Sequence, residues 1–142
     1  MSTKEKEMRF REAVRYLENA SDILRTKANK KDRYYQDEKY VRMACATAYN
    51  AVLLATESFL EMKGEVIKKK KNSRLNVDHF RKGLAKVDNK VLDEFNTAYR
   101  VLHLEGYYEG ERNYATIRSG MDSATQIINK IKPTGLENFK LN

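Results

Sequence analysis

The fold is decided by residues 41–62, which read VRMACATAYNAVLLATESFLEM. Small and apolar side chains recur along this stretch at the three- and four-residue steps that place them on one face of an α-helix. That face comprises Val41, Ala44, Ala48, Ala51, Ala55, Phe59 and Met62. Because alanines let a neighbouring helix approach closely, we expect the central helix of a bundle here. It should begin near Asp37, an acceptable N-cap, and end at Gly64.

Four further amphipathic stretches flank the central one. They predict helices at about residues 4–27, 77–87, 89–107 and 112–132, with Asp88 as an N-cap and Pro133 as a stop. Residues 28–36 are predicted to be a polar connection, and residues 133–142 a loosely held tail. The sequence therefore predicts a single all-α domain over residues 1–142, an up-and-down four-helix bundle with one additional short helix.

The positive charge is concentrated in one part of the chain. Residues 63–90 hold 10 Lys and Arg against 3 Asp and Glu, and the whole chain carries a net charge of +8. We expect an exposed basic loop at about residues 65–76. The single cysteine fits a reducing compartment, and no stretch is apolar enough to span a bilayer. A cytoplasmic protein without membrane contact is therefore expected.

The basic segment is the candidate nucleic-acid-binding site, because clustered cations release counterions when they meet a polyanion. Its members are Lys68, Lys69, Lys70, Lys71, Arg74, Arg81 and Lys82. Few aromatic residues interleave with these cations, so the stacking platform typical of single-strand binders is not expected. The alternative interpretation is a solvated loop that keeps the protein in solution.

Two histidines, His79 and His103, are the candidates for proton transfer near neutral pH. Arg74 lies five positions before His79, and Arg100 lies three positions before His103, so each histidine has an arginine that could hold a phosphate. Packing or helix capping is the alternative for both histidines. One cysteine and two separated histidines do not supply zinc ligands, and no EF-hand or phosphate-loop pattern occurs. We therefore predict no metal and no cofactor.

Most of the tyrosines cluster toward the ends of the predicted helices. They are Tyr34, Tyr35, Tyr40, Tyr49, Tyr99, Tyr107, Tyr108 and Tyr114. Such a cluster is consistent with a partly wet groove or a protein interface. The more common role of such tyrosines is to close the end of a bundle while their hydroxyls remain in water.

The order of these features resembles the HEPN superfamily (higher eukaryotes and prokaryotes nucleotide-binding), as a divergent bacterial member would. The resemblance is carried by the alanine-rich YVRMACATAYNA at 40–51, the basic loop, HFRKGL at 79–84, the turn YYEG at 107–110 and the final helix at 117–131. It spans nearly the whole chain. It implies a helical bundle, a homodimer, and a nucleotide, RNA or nucleotidyltransferase partner.

Many ribonucleases of that superfamily carry an arginine and a histidine with four to six residues between them and a polar residue after the arginine. Arg74 and His79 fit this spacing, but Leu75 follows the arginine, whereas Arg100 and His103 have only two residues between them. We therefore expect a non-catalytic HEPN-like module that binds a nucleotide, RNA or a protein partner. The alternative is a metal-independent ribonuclease of a toxin–antitoxin pair.

Overall fold

The computed structural model describes residues 1–65 and 76–141. Its elements are α1 (Thr3–Thr26), β1 (Lys30–Lys31), β2 (Tyr34–Tyr35), α2 (Glu38–Met62), α3 (Val77–Val87), α4 (Asn89–Ala98), a π-helix (Tyr99–Tyr108) and α5 (Tyr114–Lys130). One apolar core joins all of the helices, so the predicted all-α bundle is confirmed. Most of the expected basic loop at 65–76 lies outside the described residues, since only its two end residues are within them.

The helix α2 occupies the centre of the bundle, because it packs against every other helix of the described chain. The alanines of its predicted face are fully buried, and they are Ala44, Ala48, Ala51 and Ala55. Since neighbours cover α2 on several sides, residues outside that face are buried too, among them Cys45, Tyr49 and Val52. Met62 was expected to be buried, but it is exposed because it is the last residue of the helix.

The short helix α3 and the helix α4 meet at Asp88. Its carboxylate accepts hydrogen bonds from the backbone N–H groups of Lys90 and Val91, at 3.0 and 3.1 Å. The predicted N-cap is therefore confirmed, and it satisfies donors that have no partner inside the helix. Asp37 does precede α2, but its side chain makes no capping hydrogen bond.

The predicted polar connection at 28–36 contains a small antiparallel hairpin. It pairs Lys30 with Tyr35 and Lys31 with Tyr34. Asn29 and Asp32 allow the chain to reverse, since their φ angles are 54° and 57° and these residue types enter the left-handed region more readily than most. Backbone hydrogen bonds to residues 112–114 then tie the hairpin to the start of α5.

The helix predicted over 89–107 is not α-helical throughout. From Tyr99 to Tyr108 the chain is a π-helix, in which hydrogen bonds join residues five apart. The bond from Glu109 N–H to Leu104 O, 3.1 Å long, closes this pattern at the C-terminal end. Leu102 and Gly106, which follow Ala98 at four-residue steps, are buried, and Val101 is buried as well.

The C-terminal tail, which comprises residues 133–141, was expected to be loosely held. Instead it folds back on α5, where the side-chain amide of Asn129 bonds the backbone of Phe139 in both directions. The Nδ2 group donates to Phe139 O at 2.9 Å, and Phe139 N–H donates to Oδ1 at 2.8 Å. Leu136, Phe139 and Leu141 pack against the core. These apolar residues explain the difference, since their burial favours docking of the tail.

Candidate functional site

Aromatic rings form a row along the π-helix at four-residue spacing. The ring of His103 lies 5.4 Å from that of Tyr99 and 6.1 Å from that of Tyr107, at interplanar angles of 29° and 15°. Side chains four positions apart lie on nearly the same face of a helix. The spacing therefore stacks three rings on one side of the bundle.

Two further tyrosines enclose His103. The ring of Tyr49, from α2, stacks at 4.6 Å, and the ring of Tyr108 meets the imidazole edge-on at 4.9 Å and 75°. Tyr49 is only 8% exposed and lies beneath the histidine, whereas Tyr108 is 61% exposed. We call this group the tyrosine–histidine cluster, and its members are Tyr49, Tyr99, His103, Tyr107 and Tyr108. The cluster exposes the ring of Tyr108 to solvent and rests on the buried ring of Tyr49.

Small side chains let the π-helix lie close to its neighbours. A Cβ atom at Gly106 would overlap Cys45 Sγ of α2 and lie 2.9 Å from Cys45 Cβ. A Cβ atom at Gly120 of α5 would lie 2.6 Å from a methyl group of Val101. Glycine is therefore required at both contacts, and the close approach to α2 places Tyr49 against His103.

An arginine of α2 closes the C-terminal end of the π-helix. Arg42 Nη1 donates to the carbonyl oxygens of Tyr107 and Tyr108, each at 2.7 Å. These carbonyls lie where a helix runs out of internal donors, and a cation is favourable there because of the helix dipole. The contact fixes the backbone that carries the two most exposed rings of the cluster.

Burial sets the protonation states within the cluster. It lowers the pKa of His103 below the ordinary value of 6.5. Burial also raises the pKa of Tyr49 to about 12, an effect that Tyr99 reinforces and the Arg81 guanidinium opposes. The imidazole of His103 and the phenol of Tyr49 are therefore uncharged near pH 7.

A second arginine of the site comes from α3. The guanidinium carbon of Arg81 lies 4.7 Å from the ring centroid of Tyr99, within the range of a cation–π contact. Its Nε donates to Asn96 Oδ1 at 2.7 Å, which orients the guanidinium plane. Arg81 therefore belongs to the basic segment and also contacts the tyrosine–histidine cluster. Lys82, the next residue, is exposed.

The predicted site residues do not all lie in one place. Arg81 and His103 both contact Tyr99 and so belong to one site, a connection that the sequence did not predict. His79 takes part in the N-terminal cap of α3, where its Nδ1 accepts from Asn76 N–H at 3.4 Å. Arg100 pairs with the carboxylate of Glu105 at 3.2 Å. The remaining candidates lie outside the described residues, and they are Lys68, Lys69, Lys70, Lys71 and Arg74.

The sequence predicts no stacking platform within the basic segment, and residues 66–75 of that segment lie outside the described residues. Aromatic residues do not interleave with the cations in sequence, but the fold brings tyrosines of α2 and of the π-helix to Arg81. The four-residue spacing of Tyr99, His103 and Tyr107 is a signal in the sequence, because side chains four positions apart share one face of a helix. It does not indicate that Arg81 of α3 lies against the same face.

The pH dependence of stability should reveal the half-buried imidazole of His103. Because the pKa of His103 is lower in the folded state than in the unfolded state, the unfolded state binds more protons as the pH falls below about 6.5. We expect the wild type to lose free energy of unfolding between about pH 7.5 and pH 5.5, and the His103→Gln variant to lose less. Urea unfolding at both pH values measures this, and parallel pH profiles would contradict it.

Among residues 1–65 and 76–141, no three His, Cys, Asp or Glu side chains are grouped in a way that could hold a metal ion. No helix in the same part of the chain combines the length and apolar character needed to cross a membrane.

Comparison with known proteins identifies the family. No curated protein matches the chain. A solved structure, described as a protein of unknown function from Dyadobacter fermentans, is 37% identical over 92% of this chain and 96% of that one, with a TM-score of 0.76. Residues 8–133 match the family described as Domain of unknown function (DUF5618). Since this match covers most of the chain, the protein belongs to the DUF5618 family.

Proposed function

We propose that this protein is a non-catalytic HEPN-like helical module that binds single-stranded RNA across the tyrosine–histidine cluster and the basic segment. The observation that carries the proposal is the contact between Arg81 and Tyr99, because it puts cation and stacking surface side by side. A homodimer, which the HEPN resemblance implies, and a location in the cytoplasm, which the single cysteine suggests, are part of the same proposal.

Single-strand binders combine two kinds of contact, and this surface offers candidates for both. Tyrosine rings stack on bases of any sequence, and Tyr107 and Tyr108 are 41% and 61% exposed. Lysine and arginine meet the phosphates, and in the sequence Lys68–Lys71 and Arg74 directly precede α3. These two kinds of contact together predict RNA binding that weakens as the salt concentration rises and that depends little on the RNA sequence.

The described residues favour binding over cleavage. Catalysis by an arginine–histidine pair needs a histidine that exchanges a proton and an arginine that holds the phosphate. Here the ring of His103 is enclosed by tyrosines, Arg100 bonds Glu105, and His79 caps α3. Each of these groups already has a structural partner, which supports a module without ribonuclease activity.

The proposal predicts how one tyrosine affects affinity. Replacing Tyr108 with alanine removes an exposed ring, and we expect the dissociation constant to rise about tenfold, since stacking contributes about 1–3 kcal/mol per base. Fluorescence anisotropy with a labelled single-stranded RNA of about 20 nucleotides, at about 50 and 200 mM salt, measures the change. Tyr34→Ala is the matched control, because Tyr34 is 49% exposed but lies in the hairpin.

Three results would contradict the proposal. They are absence of binding at low salt, equal losses in the Tyr108→Ala and Tyr34→Ala variants, and affinity that does not change with salt. Cleavage of the RNA by the wild type, abolished in His103→Gln, would instead favour the ribonuclease alternative.

A further inference from the structure

A cleft of about 220 Å³ lies between α1, the hairpin, α5 and the tail. Its apolar lining comes from the buried side chains of Leu24, Ile117 and Met121, and Leu141 of the tail adds another wall. None of the described residues that line it belongs to the tyrosine–histidine cluster. Pockets for drug-sized ligands hold roughly 300–1,000 Å³, so this cleft suits a more compact molecule.

The charged lining of the cleft is positive. Arg25 and Arg118 line it, but each pairs with an aspartate of its own helix. Lys30 also lines it, with Nζ 4.2 Å from the centroid of the Tyr114 ring. Among the residues that the structure describes, no carboxylate oxygen lies within 4.0 Å of that ammonium group. Lys30 therefore gives the cleft one positive charge that no carboxylate of residues 1–65 and 76–141 pairs with.

Two phenols complete the polar side of the cleft. Tyr35 and Tyr114 both line it, and their ring centroids are 5.8 Å apart. Burial raises the pKa of Tyr35 to about 12; Tyr114 adds to this effect and Arg118 opposes it. At neutral pH the Tyr35 phenol therefore keeps its proton and is a hydrogen-bond donor. A donor and a cation beside an apolar lining match a ligand that has an anionic end and an apolar body.

We propose that this cleft binds a small organic monocarboxylate with an aromatic or branched apolar body. The carboxylate lies at Lys30, and the body lies on Leu24, Ile117 and Met121. A single uncompensated positive charge matches a monoanion better than a dianionic phosphate, because a second negative charge would be desolvated without a partner. The site is independent of the RNA-binding surface.

Titration with phenylacetate, followed in nitrogen–proton NMR spectra of the full chain, tests the proposal. We expect saturable shifts of amides in residues 21–25, 30–35 and 114–121 at millimolar concentration. Lys30→Met should weaken binding about tenfold, since it removes a charge-assisted hydrogen bond. Lys31→Met is the matched control, because this neighbour on the same strand does not line the cleft. Ser21→Phe, which fills the cleft from α1, should abolish the saturable shifts.

Each of the following results would overturn the proposal. Phenylacetamide binding as tightly as phenylacetate would show that the carboxylate is not recognised. Acetate binding as tightly as phenylacetate would show that the apolar lining does not contribute to affinity. Equal losses of affinity in the Lys30→Met and Lys31→Met variants would show that the effect comes from the overall positive charge and not from Lys30 in the cleft. Absence of saturable shifts would show that the cleft binds no such ligand.

Discussion

Replacing Tyr49 with alanine is expected to lower the free energy of unfolding by about 3–5 kcal/mol, the usual cost of deleting a large buried aromatic ring. Tyr49 is 8% exposed and packs against His103 at 4.6 Å and Tyr99 at 6.1 Å, so its loss leaves a cavity beneath the exposed rings. Urea denaturation followed by circular dichroism measures the change. The same variant should bind RNA more weakly, because the stacking surface loses its support.

Tyr49→Phe separates the ring from its hydroxyl. This control keeps the buried ring, so we expect a loss of stability of at most about 1 kcal/mol. Equal destabilisation of the alanine and phenylalanine variants would show that the hydroxyl, and not the packed ring, is the stabilising group.

Replacing Gly106 with alanine is expected to destabilise the protein by about 1–3 kcal/mol, as overpacking of a well-filled interior does. The added methyl group would overlap Cys45 Sγ and push the π-helix away from α2. Helix propensity alone predicts the opposite sign, since alanine is favoured over glycine by about 1 kcal/mol in a helix. The sign of the change in the free energy of unfolding, measured by urea unfolding, therefore decides whether Gly106 packs directly against Cys45.

Two companion variants sharpen this experiment. Gly83→Ala, in α3, places its Cβ 3.0 Å from a methyl group of the flexible Leu60 side chain, so propensity should offset the milder crowding. Cys45→Ala removes the sulfur that the new methyl group meets, and it should recover part of the loss in the double variant. Additive effects of the Gly106 and Cys45 substitutions would rule out a direct contact between these positions.

Much of the fold follows from local sequence because its signals are local. The alanines of α2 repeat at helical spacing and are buried. Asp88 directly precedes α4, and its carboxylate accepts a hydrogen bond from one of the first backbone N–H groups of that helix. Such features need no knowledge of distant residues. The sequence therefore predicts the number of long helices, their approximate limits and the position of the central one.

The candidate site depends on contacts that local sequence does not encode. The apolar residues before and after Ala98 fit an α-helix, and the change to a π-helix accompanies packing of Gly106 on Cys45 and of Gly120 on Val101. Likewise, Arg81 and Tyr99 are 18 positions apart and meet only because α3 folds against the chain that follows it. Composition gave the tyrosines and the basic residues, but only the fold makes them neighbours.

The two hydrogen bonds between Asn129 and Phe139 restrict what position 129 tolerates. A carboxamide presents one donor and one acceptor side by side, as a peptide unit does, and here it acts as a strand partner one residue long. Aspartate would set an oxygen against the carbonyl of residue 139, and leucine would leave both backbone groups without a partner. Glutamine carries the same amide on a stem one carbon longer, so asparagine is the residue whose reach and chemistry both fit this anchor.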